Sequence, residues 1–257
     1  YSFHDYNLFR TATFSGLDNY KKILGDPMIM KAFIQTFKYA FLTVPLELIF
    51  ALFIAYILNF KIKGVNFFRT AYYIPSILGG SVSIAVLWRF LFKTEGLVNM
   101  IGSRFGIQPF NWLGDPTGAF WVIVLLRIWQ FGSPMVIFLA ALKGVSQDLY
   151  EAASIDGAGR MRILWTILVP SIKPAVVVVG MMLFIQIWND LLQQIIYINS
   201  MSKFTFAIAL TNFTGSFGTN WPVALAATFM TILPGIVIYI FGQKSFVEGI
   251  VLTGMKN

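Results

Sequence analysis

Thiol and imidazole side chains are almost missing from these 257 residues. There is no cysteine, and the one histidine is His4. That excludes disulfide scaffolds, thiolate metal sites, cysteine nucleophiles and any cluster of histidine ligands. Three other groups of residues remain. The first is Lys38, Glu47 and Arg127, ionisable groups set inside long apolar runs. Lys38 and Glu47 lie about 900° apart around one helix and so face opposite sides, while Arg127 belongs to another run and can pair with Glu47 across helices. Ion-coupled carriers hold such groups within the membrane, but so sparse a set speaks weakly for one. The second group is Gln186-Ile187-Trp188-Asn189-Asp190, followed by Gln193-Gln194. Amides both donate to and accept from hydroxyls, and an indole stacks on a sugar face, so Gln186, Trp188, Asn189 and Asp190 suit contact with a neutral polyhydroxy solute. Interhelical hydrogen bonding or an interfacial belt would use the same residue types. The third group is the polar segment 143–173, KGVSQDLYEAASIDGAGRMRILWTILVPSIK, which carries the most information.

These residues must be positioned by elements suited to lipid. Apolar residues make up 57% of the chain and charged residues only 12%, against about 45–50% and about 25% in a soluble domain. Mean hydropathy is +0.73. Too few charges are present to cover a water-soluble globule, and the apolar content excludes disorder. The net charge of +8 comes from basic residues scattered over short polar segments. They form no stripe or cluster of the kind that binds nucleic acid, and basic loops beside membrane helices explain them.

Crossing about 30 Å of hydrocarbon takes about 20 helical residues. Five stretches read as spans: 32–58, 71–88, 119–142, 174–188 and 223–241, of which 71–88 and 174–188 are short and need flanking residues to extend them. The segments between them carry turn chemistry at Gly25-Asp26-Pro27, Gly114-Asp115-Pro116 and Asn220-Trp221-Pro222. The tail 242–257 reads as a polar end beyond the last span. No linker to a second domain is visible, so 1–257 reads as one all-α polytopic transmembrane domain. Lys and Arg divide almost evenly between the two sides. The side holding 143–173 carries them in shorter segments, which favours the cytoplasm for that side.

Segment 143–173 is polar enough to leave the bilayer, yet its pattern is helical. Ser146 is a suitable N-cap for a helix over 147–155, and Gly157 suits the left-handed position just past its end. A second helix is expected from Arg160 to about Val169, with Pro170 and Pro174 marking the return to the membrane. The first helix carries Leu149, Ala152, Ala153 and Ile155, whose small members allow close approach of another protein's groove. From the residues alone, an amphipathic connector lying on the membrane surface fits equally well.

The run Glu151-Ala152-Ala153, three residues, Gly157, nine residues and Ile167-Leu168-Val169-Pro170 resembles the EAA motif of the membrane subunits of binding-protein-dependent ABC importers. Val169 stands where the motif usually has Leu. The flanking Leu149-Tyr150 and Ser154-Ile155-Asp156 resemble the carbohydrate-importing, maltose-type branch. Phe14-Ser15-Gly16-Leu17-Asp18-Asn19-Tyr20 and Phe67-Phe68-Arg69 with Pro75 are similar to its F-like subunits. The tail Gln243-Lys244-Ser245-Phe246-Val247-Glu248-Gly249 is similar to its G-like subunits. The resemblance covers nearly the whole chain and leaves open which permease position it fills.

The resemblance implies a permease bundle of about six core spans in a bacterial inner membrane, the first span expected ahead of Tyr1. It implies a sugar or oligosaccharide as solute, with an importer of another small solute as the runner-up, and no enzymatic activity in this chain. Leu149, Glu151, Ala152, Ala153, Asp156 and Gly157 would form the contact with an ATPase, Glu151 anchoring the loop and Asp156 serving as a turn residue. The implied partners are two ATP-binding subunits, a second permease and an extracytoplasmic solute-binding protein. The chain has no G-x-x-x-x-G-K-[ST] phosphate loop. ATP and magnesium are therefore expected on the partner ATPase, and no cofactor or metal on this chain.

Overall fold

The computed structural model describes residues 1–7, 10–60, 63–211, 214–215 and 218–254, and 77% of the structure is helical. In chain order its elements begin with the hairpin β1 (His4–Asn7) and β2 (Arg10–Phe14). The helices α1 (Asp18–Gly25), α2 (Pro27–Asn59), α3 (Val65–Leu78), α4 (Val82–Leu91), α5 (Leu97–Arg104), α6 (Pro116–Trp129) and α7 (Gly132–Gly144) follow. Next come α8 (Gln147–Ile155), α9 (Arg160–Ile163), a π-helical turn (Leu164–Leu168), α10 (Val169–Ser171) and α11 (Lys173–Trp188). The chain continues through α12 (Leu192–Tyr197), a 3₁₀ turn (Met201–Lys203), α13 (Phe206–Thr211) and the short pair β3 (Thr214–Gly215) and β4 (Gly218–Thr219), then α14 (Trp221–Gly254).

Each of the three proline-bearing turn sequences starts a helix. The Asp26 carboxylate accepts from the N–H groups of Met28 (2.8 Å) and Ile29 (3.3 Å). That of Asp115 accepts from Gly118 N–H at 2.6 Å, and the Asn220 side-chain oxygen accepts from Val223 N–H at 3.4 Å. An Asp or Asn cap satisfies donors that have no partner inside the helix, and a proline in the first turn has no N–H to orphan.

Among the described residues, α2 and the 221–245 part of α14 are single helices long and apolar enough to cross a bilayer. Three further spans exist as broken pairs, which gives five when each pair counts as one. Two expected spans therefore need correction. The stretch 71–88 is α3 and α4, interrupted at Gly79-Gly80-Ser81, and 119–142 is α6 and α7, interrupted at Gln130-Phe131. Helix α14 also runs past the expected last span, to Gly254.

The chain packs as two compact units. The first comprises 1–42, 82–125 and 185–238, and the second 43–81, 126–184 and 239–257. In the first, the Asn19 amide donates to the carbonyls of Ser2 (3.0 Å) and His4 (2.9 Å), holding the hairpin to α1. Ile23, Ile29, Phe206, Val223, Ala226 and Ala227 form a buried apolar cluster. Asn99 knots the 93–112 connection: its amide donates to the carbonyls of Thr94 and Phe110, and its oxygen accepts from Phe110 N–H and the Trp112 indole.

In the second unit, a polar network crosses the apolar interior. The Arg127 guanidinium lies 3.8 Å from the Glu47 carboxylate, whose side chain is 1% exposed. The same guanidinium donates to the Gln130 side-chain oxygen at 3.2 Å. The Gln130 amide donates to the Gly79 carbonyl at 3.4 Å. The Ser76 hydroxyl donates to the Gln130 backbone carbonyl (2.5 Å) and accepts from Ser133 N–H (2.9 Å). The breaks in α3–α4 and α6–α7 thus supply one another's missing hydrogen bonds, which lipid could not do. The close fit depends on glycine: a Cβ at Gly132 would strike the Tyr72 carbonyl and come within 2.7 Å of Tyr73 Cα.

Two outcomes follow for stability in detergent. Gly132→Ala drives a methyl into backbone and should cost about 1–3 kcal/mol, read as a lowered thermal midpoint. Arg127→Met leaves the Glu47 carboxylate buried without its cation and should cost about 3–5 kcal/mol. Adding Glu47→Gln should recover much of that loss, and failure of the second change to recover any would argue against the ion pair.

Candidate functional site

The segment 145–173 lies in the second unit and folds as expected into a helix, a turn and a second helix. Ser146 caps α8: its hydroxyl accepts from Asp148 N–H at 3.2 Å. At the other end Ala158 N–H donates to the Ala153 carbonyl at 3.0 Å across Gly157, whose φ is +74°. That six-residue bond over a left-handed glycine is a Schellman closure. An added Cβ at Gly157 would meet nothing within 4 Å, so glycine is required there by backbone conformation alone.

Helix α8 has an outer and an inner face. Leu149, Glu151, Ala152 and Ile155 are exposed, and Ile155 is 86% so. The Glu151 carboxylate accepts from the Gln147 amide at 2.9 Å, one turn earlier on the same surface. Ala153 is buried and Tyr150 half-buried. Asp156 is exposed, and its N–H donates to the Ala152 carbonyl at 3.0 Å, which makes it the last turn residue of the helix.

The inner side is fastened to the end of α2. The Asn59 amide donates to the Tyr150 hydroxyl at 3.1 Å. The Tyr56 hydroxyl donates to the Arg160 carbonyl at 2.9 Å. The Arg160 guanidinium sits over the Phe60 ring, 5.3 Å from its centroid, a cation–π contact. Burial pushes the Tyr150 hydroxyl pKa up, and the bond from Asn59 pulls against that. Sequence reasoning missed Tyr56, Asn59 and Phe60. Their signal is a set of polar and aromatic residues on the last turn of a long apolar helix, but their partners lie about a hundred positions away.

Beyond Gly159 the second helix begins as α9 and widens into the π-helical turn before Pro170. Proline lacks an N–H and crowds the carbonyl four residues earlier, and a widened turn accommodates both faults. At Ile172 the chain bends by 78° into α11.

The second candidate group lies in the first unit, at the end of α11. Gln186 and Asn189 are exposed, and the Asn189 amide donates to the Ile185 carbonyl at 2.8 Å. The Asp190 carboxylate accepts from Gln193 N–H at 3.3 Å, capping α12. Trp188 is turned inward and is 2% exposed. It packs edge-on to Phe33 (5.6 Å) and Phe37 (4.8 Å), and its indole N–H donates to the Thr231 carbonyl at 3.0 Å. Thr231 stands in the turn ahead of Pro234, where the Met230 carbonyl loses its helical donor to the proline. The structure therefore places Gln186 and Asn189 on a surface and Trp188 in the aromatic packing beneath it.

Apolar helices of membrane-spanning length joined by a capped surface helix have the build of a membrane transport subunit. Residues 27–244 match the family described as binding-protein-dependent transport system inner membrane component, and the chain belongs to that family. It is 45% identical over 177 residues to the probable ABC transporter permease protein YesP of Bacillus subtilis, covering 68% of this chain and 57% of that one. It is 37% identical over 167 residues to the trehalose/maltose transport system permease protein MalF of Thermococcus litoralis, covering 64% and 56%. The chain thus spans less than two thirds of the length of these relatives. It superposes on the crystal structure of a bacterial ABC transporter for the import of the acidic polysaccharide alginate, with TM-score 0.76 at 21% identity, covering 94% of this chain and 85% of that one. That likeness establishes the fold.

The tether between α2 and the surface segment is measurable. Tyr56→Phe removes one hydrogen bond, worth about 1 kcal/mol. Amide exchange over 147–163 should accelerate about fivefold while exchange elsewhere in α2 stays unchanged. Unaltered exchange over 147–163 would show that the hydroxyl does not hold the segment.

Proposed function

We propose that this chain is a permease subunit of an ATP-driven importer of sugars or oligosaccharides in the bacterial inner membrane, forming half of the solute path. The observation that carries the reading is the two-faced α8. Its outer face offers Leu149, Glu151 and Ala152 to a partner, while Tyr150 and Ala153 turn inward. Two closed helix ends and the Tyr56, Asn59 and Phe60 contacts make the segment stiff. A stiff helix seated in a partner's groove transmits displacement, and a limp loop does not.

In this reading the partner is an ATPase, one of two, each carrying ATP and magnesium, and this chain hydrolyses nothing. A second permease completes the path, and an extracytoplasmic binding protein delivers the solute. Segment 143–173 faces the cytoplasm. Glu151 anchors the docked helix, Asp156 and Gly157 end it, and Ala152 allows close approach, with Ala153 packing it against its own chain. Residues 1–257 act as one permease domain. The named relatives that transport trehalose, maltose or alginate support a saccharide as the solute. Gln186 and Asn189 contribute hydroxyl-binding groups to the path, Asp190 orders the turn, and Trp188 supports them from beneath. An ion-coupled carrier is the weaker alternative, because Glu47 and Arg127 face each other in the interior.

The test is the double variant Glu151→Ala, Gly157→Val. A β-branched residue at φ +74° costs about 1–2 kcal/mol, which weakens docking about tenfold. ATP-dependent sugar uptake and co-purification of the ATPase should both fall while membrane insertion stays intact. Uptake and ATPase retention at the parent level would rule out α8 as the docking element.

A further inference from the structure

We propose that a groove on the first unit, lined by Lys31, Lys38 and Lys203, binds an anionic saccharide whose carboxylates pair with the three lysines. The inference rests on the saccharide reading above and narrows its substrate class. The groove encloses about 670 Å³. Lys31, Ile34, Gln35 and Lys38 line it from α2, and Ser202 and Lys203 from the loop that follows α12. Positions 31, 34, 35 and 38 share one helix face, so the α2 wall is a single stripe with a lysine at each end, about 10 Å apart along the axis.

Three lysines line this concavity. Among the described residues, the two ion pairs are Lys21 with Asp18 and Arg127 with Glu47, so none of the three groove lysines meets a carboxylate. Lys203 lies 5.4 Å from the centroid of the Phe120 ring. Like charges around one cleft repel one another, focus a positive potential and raise the local concentration of anions. Between the lysines stand two neutral hydrogen-bonding groups. Gln35 is 8% exposed, lines the groove from α2 and has no side-chain partner among the described residues. Ser202 lines it from the loop, its hydroxyl 2.8 Å from that of Ser200. Carboxylates spaced along a chain with hydroxyls between them meet both requirements. A uronate oligomer has that chemistry. A lipid phosphate offers the same charge without the row of hydroxyls that Gln35 and Ser202 would serve.

The probe is trigalacturonate, compared with its fully methyl-esterified form, which keeps the sugars and removes the charge. Binding is measured on the full chain in its native complex, in nanodiscs of neutral phosphatidylcholine. Trigalacturonate should bind and the ester should bind at least about tenfold more weakly, with affinity for the acid falling as salt is raised. Lys31→Gln, Lys38→Gln and Lys203→Gln should each weaken the acid up to about fivefold, the upper range for an exposed ion pair. Lys22→Gln, an exposed charge away from the groove, should leave binding unchanged. The single variants keep the test valid should the triple variant fail to fold.

Equal affinity for acid and ester, or lysine variants that bind as the parent does, would overturn the proposal. So would loss of co-purifying phosphatidylglycerol in the variants without any saccharide binding, which marks a lipid site. ATP-driven uptake of a neutral oligosaccharide in proteoliposomes separates the two levels. Such uptake with no preference for the acid sinks the anionic site alone, whereas no ATP-driven saccharide uptake at all overturns both readings.

Discussion

A backbone N–H or C=O left without a partner in hydrocarbon costs several kcal/mol, and this chain breaks its helices where that penalty applies. The fold depends on how the breaks are closed. Gln130 stands at the centre: its amide serves Gly79, its side-chain oxygen accepts from Arg127, and its carbonyl accepts from Ser76. Ser76 then accepts from Ser133 N–H. Arg127 carries the network on to Glu47. In water such a network would be exchangeable with solvent bonds. In lipid it fixes which broken helix sits against which, because any other pairing leaves polar atoms unserved.

The same scarcity governs where charge is used. Only 12% of residues are charged, and those inside the second unit serve structural ends. Glu47 and Arg127 face one another, and Arg160 lies over the Phe60 ring at the end of α2. A guanidinium tolerates such a site better than an ammonium, because it is planar, stacks on rings and is less strongly hydrated. The lysines Lys31, Lys38 and Lys203 instead open onto a groove. Lys203 combines the two uses, lining the groove while its ammonium lies 5.4 Å from the centroid of the Phe120 ring.

Much of this was legible in the sequence, and what was not has a physical cause. The five apolar stretches were legible from their length, and Asp26, Asp115 and Asn220 beside a proline were legible as turns, though not as the helix starts they are. Both ends of α8 were legible from Ser146 and Gly157, since capping is local chemistry. The breaks were not. Gly79-Gly80 lies within an apolar run where glycine is tolerated, and Gln130-Phe131 holds neither glycine nor proline. Each break is stabilised by residues more than fifty positions away, which no local pattern reveals. Trp188 illustrates the same limit: its position at a span end suits a solute face, but Phe33, Phe37 and the Thr231 carbonyl enclose it. The tether from Tyr56 to Arg160 crosses about a hundred positions and is equally silent.

The surface segment joins the two kinds of constraint. On its water-facing side α8 is built from local rules, capped at both ends and showing small and acidic residues outward. On its membrane side Pro170 forces the widened turn at 164–168, and Ile172 marks the 78° bend into α11. A regular helix there would leave the proline clashing with the Thr166 carbonyl. The widened turn removes the clash without ending the helix, so residues 160–171 stay one stiff piece between the tether at Arg160 and the start of α11. Under the docking proposed above, a displacement applied to α8 would reach the spans by two routes, through Tyr150 and Arg160 into α2 and through α9 and α10 into α11. Two rigid attachments on different helices turn a push on one short helix into a relative movement between spans, which a single flexible attachment would absorb.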